Sequence, residues 1–251
     1  MSDIFKSTLF LISTVILVHL VFSSFIRPEA NLIIEAAKTT QTSVPRNFFV
    51  IVKDLEQEIC FILLIWGVFL ILQKCLRIIN SNYLFNIDLI EKTIESRNMA
   101  EEVIEKLNKQ LDIRTRKTPL IESINLALLR YSQTKNVQNV SDSIKSSIEM
   151  LSTKQDSDNA MIRYLIWAIP SVGFIGTVRG IGLALSNADE AIQGNISLMT
   201  ENLGIAFNST FVALIISMIL MLFFHQLQKL QDENLVNIQE YCEKYLYSKF
   251  V

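Results

Sequence analysis

Several polar side chains stand inside two strongly apolar stretches of this 251-residue sequence, and four of them are considered first. Thr177 lies in "IPSVGFIGTVRGIGLAL", and Asn208, Ser209 and Thr210 lie together in "LGIAFNSTFVALIIS". Polar groups in such surroundings are costly unless they find partners or water. Hydroxyls and trapped water can coordinate or relay a cation without carrying charge themselves. The four side chains are therefore candidates for an ion pathway.

The two threonines are expected at matching depth. Thr177 stands twelve residues before Asp189, and Thr210 stands nine residues after Glu201. At about 1.5 Å per helical residue these spacings are about 18 and 14 Å, so the two hydroxyls could face one another. The alternative interpretation of Thr177 alone is a hydrogen bond to a backbone carbonyl of its own helix.

Small residues line the stretch that contains Thr177. Gly173, Gly176 and Gly180 recur at spacings of three and four, which places them on one face of a helix. Small residues let another helix approach closely where lipid supplies no hydrophobic drive. We expect this face to pack against another copy of the chain or against a partner. Pro170 removes a backbone hydrogen bond and permits a kink, which is tolerated where a neighbour satisfies the freed carbonyl.

Arg179 is the exception among the charges, because it stands inside the same apolar stretch. Snorkelling or a structural ion pair is one interpretation, and a direct role in the ion path is the other. None of the four apolar blocks described below contains Asp or Glu. We therefore expect any proton-binding carboxylate to come from another polypeptide.

Enzymatic and metal chemistry are not indicated. His19 and His225 have no nearby Cys, Asp or Glu at ligand spacing, and the three cysteines are scattered. No nucleophile–base constellation or glycine-rich phosphate loop is present, so the sequence predicts no enzyme, no metal and no cofactor.

Four apolar blocks must position these side chains: Thr8–Ile26, Ile59–Gln73, Tyr164–Ala188 and Leu203–Phe224. A bilayer core needs about 20 apolar helical residues, and flanking apolar residues lengthen the short second block. No small-x-small cleavage pattern follows the first block, which favours a retained helix over a signal peptide. The sequence predicts an all-α membrane protein with four transmembrane helices.

Basic residues indicate the orientation. Residues 74–163 contain fourteen Lys and Arg, whereas residues 187–202 contain none. The positive-inside rule places the first segment, and with four spans both termini, in the cytoplasm.

The cytoplasmic parts are predicted to be helical throughout. Apolar spacing predicts one helix from Asn82 to Leu111, which includes Ile94, and a second from Thr118, as N-cap before Pro119, through Tyr131. A third helix carries Val140, Ile144, Ile148 and Leu151, and the fourth block continues into the cytoplasm as one rod almost to the C-terminus. The predicted domains are 1–79 (a hairpin of helices at about 8–26 and 55–76), 80–160, 161–228 and 229–251.

A basic stretch follows the first cytoplasmic helix. Arg114, Arg116 and Lys117 are its last members. They are either a solvated, positive-inside surface or a docking surface for an acidic cytoplasmic partner.

Two apolar stretches that carry these polar residues resemble the MotA/TolQ/ExbB proton-channel family: "IPSVGFIGTVRGIGLAL" and "LGIAFNSTFVALIISMI". The resemblance covers roughly Arg163 to Gln228. The preceding "TPLIESINLALLRY" is similar more loosely. The resemblance implies a bacterial inner-membrane protein that forms a pentamer around two copies of a single-span partner like MotB, TolR or ExbD. It also implies that the partner's membrane aspartate binds the proton between Thr177 and Thr210, while Pro170 matches the proline of the third helix. Ion flow would turn the pentamer around the partner.

Four spans are typical of flagellar stators, whereas the glycine–threonine motif is more like the TolQ and ExbB branch, so the driven system stays open. A non-conducting helical scaffold that holds a partner is the alternative function, since the same glycines would serve it.

Overall fold

The computed structural model describes residues 2–40, 45–90, 97–194, 196–246 and 249. Within these residues every regular element is a helix. The α-helices are α1 Ser2–Val21, α2 Arg27–Thr39, α3 Phe48–Val52, α4 Leu55–Ile79, α5 Arg97–Gln110, α6 Ile113–Arg116, α7 Pro119–Thr134, α8 Val137–Asp158, α9 Ala160–Ser186, α10 Ala188–Ile192 and α11 Ser197–Tyr241. One π-helical turn joins α1 to α2 (Phe22–Ile26), a second follows α11 (Cys242–Leu246), and a 3-10 turn covers Asn82–Asn86. The chain divides into two compact units, Met1–Leu72 with Met161–Phe224, and Gln73–Ala160 with His225–Val251.

Within the described residues, four helical runs are long and apolar enough to cross a membrane: Phe5–Ala37, Leu55–Asn86, Val137–Ser186 and Ser197–Leu246. Each coincides with one of the four apolar blocks, the third of which extends two residues beyond its run to Ala188, and this confirms the prediction of an all-α membrane protein with four spans. The 45-residue α11 runs without a break from Ser197 to Tyr241, about 68 Å at 1.5 Å per residue. The prediction that the fourth helix continues well beyond its apolar block is therefore confirmed.

Aromatic and polar contacts join α1 to α4 in the first unit. The rings of Phe10 and Phe69 stack with their centroids 3.9 Å apart. Trp66 donates its indole N–H to the Ser7 hydroxyl at 3.0 Å, which satisfies the one polar atom of the ring. The outward faces of both helices are apolar, since Leu9, Ile16 and Leu72 are exposed. Such an exterior suits lipid rather than water.

The second unit has an apolar core of its own. Its fully buried members include Ile121, Ile124, Leu128, Val140 and Ile238. The helix predicted from Pro119 begins at that residue, with Thr118 extended before it. The Thr118 hydroxyl donates to the Thr115 carbonyl and makes no capping bond. The helix ends at Thr134, where Lys135 adopts a left-handed conformation with φ 50°.

The predicted helix from Asn82 to Leu111 is wrong in its first part. After the 3-10 turn the backbone of Ile87 is extended, whereas α5 covers Arg97–Gln110 of the predicted helix. The Tyr241 hydroxyl accepts a hydrogen bond from the Leu89 N–H at 3.0 Å and donates to the Ile87 carbonyl at 2.7 Å. This side chain satisfies backbone groups that a helix would otherwise pair, so the extended segment is stable. Ile94, part of the same prediction, lies outside the described residues.

Candidate functional site

The hydroxyl groups of Thr177 on α9 and Thr210 on α11 are in direct hydrogen-bonding contact. Thr177 Oγ1 also donates to the Ala206 carbonyl at 3.0 Å, and it lies 3.3 Å from the Gly173 carbonyl of its own helix. Thr210 Oγ1 lies 3.2 Å from the same Gly173 carbonyl. Each hydroxyl has one proton, so two protons serve four contacts and the pair can change which oxygen donates. Thr177 therefore contacts both a carbonyl of its own helix and the Thr210 hydroxyl, as its two interpretations require.

The glycine face of α9 packs against α11 of the same chain. A Cβ atom at Gly176 would lie 2.5 Å from the Ser209 Cβ, and one at Gly180 would lie 2.7 Å from the backbone nitrogen of Ala206. A Cβ at Gly173 would collide with Ala213. The expectation of packing between chains at this face is therefore corrected, because α11 already fills the space. The close approach of the two backbones is what brings the threonine hydroxyls together.

Pro170 lies inside α9 and lacks the N–H that would bond to the Ile166 carbonyl. Ser217 of α11 donates its hydroxyl proton to this carbonyl at 2.9 Å. Cys60 of α4 lies nearby, with its Sγ 3.7 Å from the Ile169 carbonyl. A neighbouring helix thus satisfies the group that the proline leaves free, and Ser217 is a residue that sequence reasoning missed.

Ser209 and Asn208 differ in their surroundings. Ser209 is buried, donates to the Ile205 carbonyl at 2.9 Å and accepts a hydrogen bond from the Gln57 amide at 3.4 Å. Asn208 is half-buried and bonds to neither threonine. Of the four predicted pathway residues, the structure therefore brings Thr177, Thr210 and Ser209 to one region of the α9–α11 interface.

Arg179 forms a two-point ion pair with Glu56 of α4. Its Nε lies 2.8 Å from Glu56 Oε1, and its Nη2 lies 2.8 Å from Oε2. The Glu56 side chain is 8% exposed and that of Arg179 is 44% exposed, so the carboxylate depends on this guanidinium for compensation. Of the two interpretations of Arg179, the structure supports the structural ion pair.

Two carboxylates of this chain lie in the first turn of α4, although none of the four apolar blocks contains one. The second apolar block starts at Ile59, but the helix, which is predicted from about residue 55, begins at Leu55 and carries Glu56 and Glu58 in its first turn. A Cβ at Gly176 would lie 3.0 Å from the Glu56 Cγ, so this acidic residue packs beside the residue that precedes Thr177. The mean hydropathy of α4 is high, so it does not reveal the polar first turn of the helix. This turn can be buried because its carboxylates form ion pairs.

Glu58 is also paired. Its Oε1 lies 2.8 Å from His19 Nδ1, and its Oε2 accepts a hydrogen bond from the Arg27 guanidinium. The Glu58 side chain is buried, at 5% exposed. His19 and Arg27 were not predicted as partners, because the sequence places them 39 and 31 residues from Glu58. Within the described residues, no group of three or more His, Cys, Asp and Glu is arranged to hold a metal.

The basic stretch lies in the second unit, around α6. Arg114 and Lys117 are exposed, whereas Arg116 is half-buried and donates from Nε to the Leu111 carbonyl at 2.8 Å. Asp112 caps α6 by accepting from the Thr115 N–H at 3.1 Å. A docking role for Arg114, Arg116 and Lys117 stays a prediction.

The fold and this site define a class: a multi-pass helical membrane protein in which two closely packed helices hold a pair of hydroxyl groups in an apolar setting. Comparison with protein families matches residues 115–240, half of the chain, to the MotA/TolQ/ExbB proton channel family. The chain belongs to that family. The match confirms the resemblance of the two apolar stretches that contain Thr177 and Thr210, and it starts at residue 115 rather than residue 163. Comparison with curated proteins found no match, and neither did comparison with solved structures.

Proposed function

We propose that this chain is the proton-conducting subunit of a membrane motor complex. Five copies surround a dimer of a single-span partner, whose membrane aspartate binds and releases the proton beside Thr177 and Thr210. Proton flow then turns the pentamer against the partner and performs mechanical work. The observation that carries this proposal is the direct contact between the two threonine hydroxyls, in the segment that the family match covers.

The proposal of a partner carboxylate is supported by the paired state of the two glutamates in the first turn of α4. Glu56 is held by Arg179, and Glu58 by Arg27 and His19. Both carboxylates already accept hydrogen bonds that join helices, so neither is positioned to move to the threonine pair. The hydroxyl pair, in contrast, can donate to an ionised carboxylate and accept from a protonated one. The two threonines would therefore serve the loaded and unloaded states of a visiting aspartate equally.

The apolar exterior near the threonines suits an oligomer in a bilayer. Phe174 and Val178 of α9 and Phe207 and Phe211 of α11 are all more than half exposed. In the proposed complex, neighbouring copies, the partner helix and lipid cover these side chains. We place the complex in the bacterial inner membrane with both termini in the cytoplasm, on the basis of the basic segment 74–163. In this role the chain is a transport protein rather than an enzyme.

A non-conducting scaffold is the second candidate. It is favoured by the glycine face, because Gly173, Gly176 and Gly180 are fully used in packing α9 against α11. Both functions need that packing, but a scaffold has no need of two hydroxyls in contact at its centre.

Proton uptake by vesicles separates the two candidates. The chain is reconstituted with the single-span protein that co-purifies with it, and uptake is followed with an internal pH-sensitive dye under an imposed potential. We expect uptake from the complex and none from vesicles that contain the chain alone, because the proposed carrier carboxylate belongs to the partner. An assembled complex without uptake would favour the scaffold.

A further inference from the structure

The segment Asp54–Glu58, here called the acidic turn, is polar and largely buried although it opens a membrane-spanning helix. Glu56, Gln57 and Glu58 are each less than 9% exposed. Glu56 packs beside the Gly176 position of α9, and Gln57 contacts Ser209 of α11, so both reach residues well inside the apolar stretches. Ionisable side chains at such a depth are rare and costly, and they commonly mark an ion route.

Most of the charge in the acidic turn is balanced. Glu56 pairs with Arg179, while Glu58 pairs with Arg27 and contacts His19. These two carboxylates are therefore committed to holding α4 against α9 and against the end of α1. They leave Asp54 and Gln57 as the members of the turn without such a role.

Two buried acceptor oxygens in the turn receive no hydrogen bond from any described residue: Asp54 Oδ2 and Gln57 Oε1. The Gln57 side chain is completely buried. A buried acceptor without a donor costs free energy, and in a polar site of this kind water is the usual donor. Both oxygens are thus suited to accept from water or from a hydrated proton.

The Gln57 amide connects the acidic turn to the threonine pair. Its Nε2 donates to the Ile51 carbonyl at 3.1 Å and contacts the Ser209 hydroxyl at 3.4 Å. Ser209 directly precedes Thr210 on α11, and Glu56 packs beside Gly176, which directly precedes Thr177. Arg179 stands two residues beyond Thr177, toward the connection between α9 and α11. Polar groups therefore continue from the threonine pair toward that connection.

We propose that the acidic turn is a hydrated access site, in which Asp54 and Gln57 hold water and admit protons to the Thr177–Thr210 pair from the membrane side that carries the α9–α11 connection. Its use by protons rests on the proposed function, whereas its hydration does not. No bond is made or broken in this step apart from proton exchange between water and the oxygens that accept it.

Thiol reactivity tests the hydration in the intact chain. Gln57→Cys and the more conservative Ser209→Cys are each made in a chain whose three cysteines are replaced, and the control chain keeps Cys60 alone. Cys60 is the matched control, because it lies one turn along α4, is also completely buried, and has its Sγ beside the Ile169 carbonyl. A small hydrophilic methanethiosulfonate reagent is applied to the folded proteins in vesicles. Only ionised, water-contacted thiols react quickly, so we expect both new cysteines to react at least about tenfold faster than Cys60. Rates equal to that of Cys60 in both variants would overturn the hydrated site.

Proton uptake tests the use of the site. We expect Gln57→Leu and Asp54→Asn to lower uptake by the complex about tenfold, since each removes an oxygen or a charge that holds the incoming proton. Unchanged uptake in both variants, together with a loss in Thr177→Val, would overturn the access site and leave the channel assignment standing. Absence of uptake in the unmodified complex would instead overturn the channel assignment, and the thiol rates would still decide the hydration. Uptake of labelled sodium in place of protons would overturn the assignment of the site to protons.

Discussion

Ser217 on α11 donates a hydrogen bond to the Ile166 carbonyl on α9, the acceptor that Pro170 leaves without a helical donor. Ser217 is 9% exposed, so little water reaches this bond. The proline thus leaves a backbone carbonyl without its helical donor, and one residue of the neighbouring helix donates to that carbonyl instead. This pairing fixes the register of α9 against α11 at a position seven residues, about two turns, after Thr210 on α11.

Removal of the hydroxyl in Ser217→Ala should leave the Ile166 carbonyl unsatisfied and lower the free energy of unfolding by about 1 to 3 kcal/mol. In a Pro170→Ala background the restored N–H takes over the carbonyl, so the same serine change should cost much less. Reversible unfolding in mixed micelles gives the free energies of unfolding of the unmodified chain, the two single variants and the double variant, which together form a double-mutant cycle. Equal costs in both backgrounds would show that Ser217 does not serve the proline.

The ion pair of Arg179 with Glu56 gives a second prediction. Arg179→Leu strands a buried carboxylate, and we expect a loss of about 3 kcal/mol, the low end for a buried pair because Arg179 is half exposed. The double change to Leu at both positions should cost less than Arg179→Leu alone. The matched control is Lys229→Leu, which breaks an exposed pair with Glu233 and should change stability by no more than about 0.5 kcal/mol. A similar small effect for Arg179→Leu would contradict the structural role.

Alanine substitutions along α9 test the glycine face. Gly176→Ala places a methyl group against the side chain of Ser209 and should destabilise the isolated chain by about 1 to 3 kcal/mol. Gly182→Ala meets no atom within 4 Å and should be neutral or stabilising by up to about 1 kcal/mol. Thermal unfolding of the chain in detergent, without its partner, distinguishes the two. Loss of oligomers with unchanged chain stability in Gly176→Ala would restore the expectation of packing between chains.

The sequence predicted the features that depend on one helix at a time. Apolar length located the four spans, and a constant helical rise placed Thr177 and Thr210 at matching depth. Contacts between distant segments could not be predicted in the same way. The bond between Arg179 and Glu56 spans 123 positions, and average hydropathy assigned no polar turn to the start of α4. The Tyr241 hydroxyl bonds to the backbone of Ile87 and Leu89, so this segment is not helical although its apolar spacing is typical of a helix.

Proton uptake by the reconstituted complex after loss of the threonine hydroxyls tests the central claim most directly. Valine keeps the shape of threonine, so Thr177→Val and Thr210→Val should leave the oligomer intact and lower uptake about tenfold or more, the effect of one lost hydrogen bond to a charged group. The double variant should be little worse than either single one, because the two hydroxyls form one site. The control is Thr14→Val, since Thr14 is a buried threonine of α1 whose hydroxyl, among the described residues, bonds only to the Phe10 carbonyl of its own helix. Reduced uptake in both single variants with normal uptake in the control is the predicted result, and normal uptake in both single variants would contradict the account.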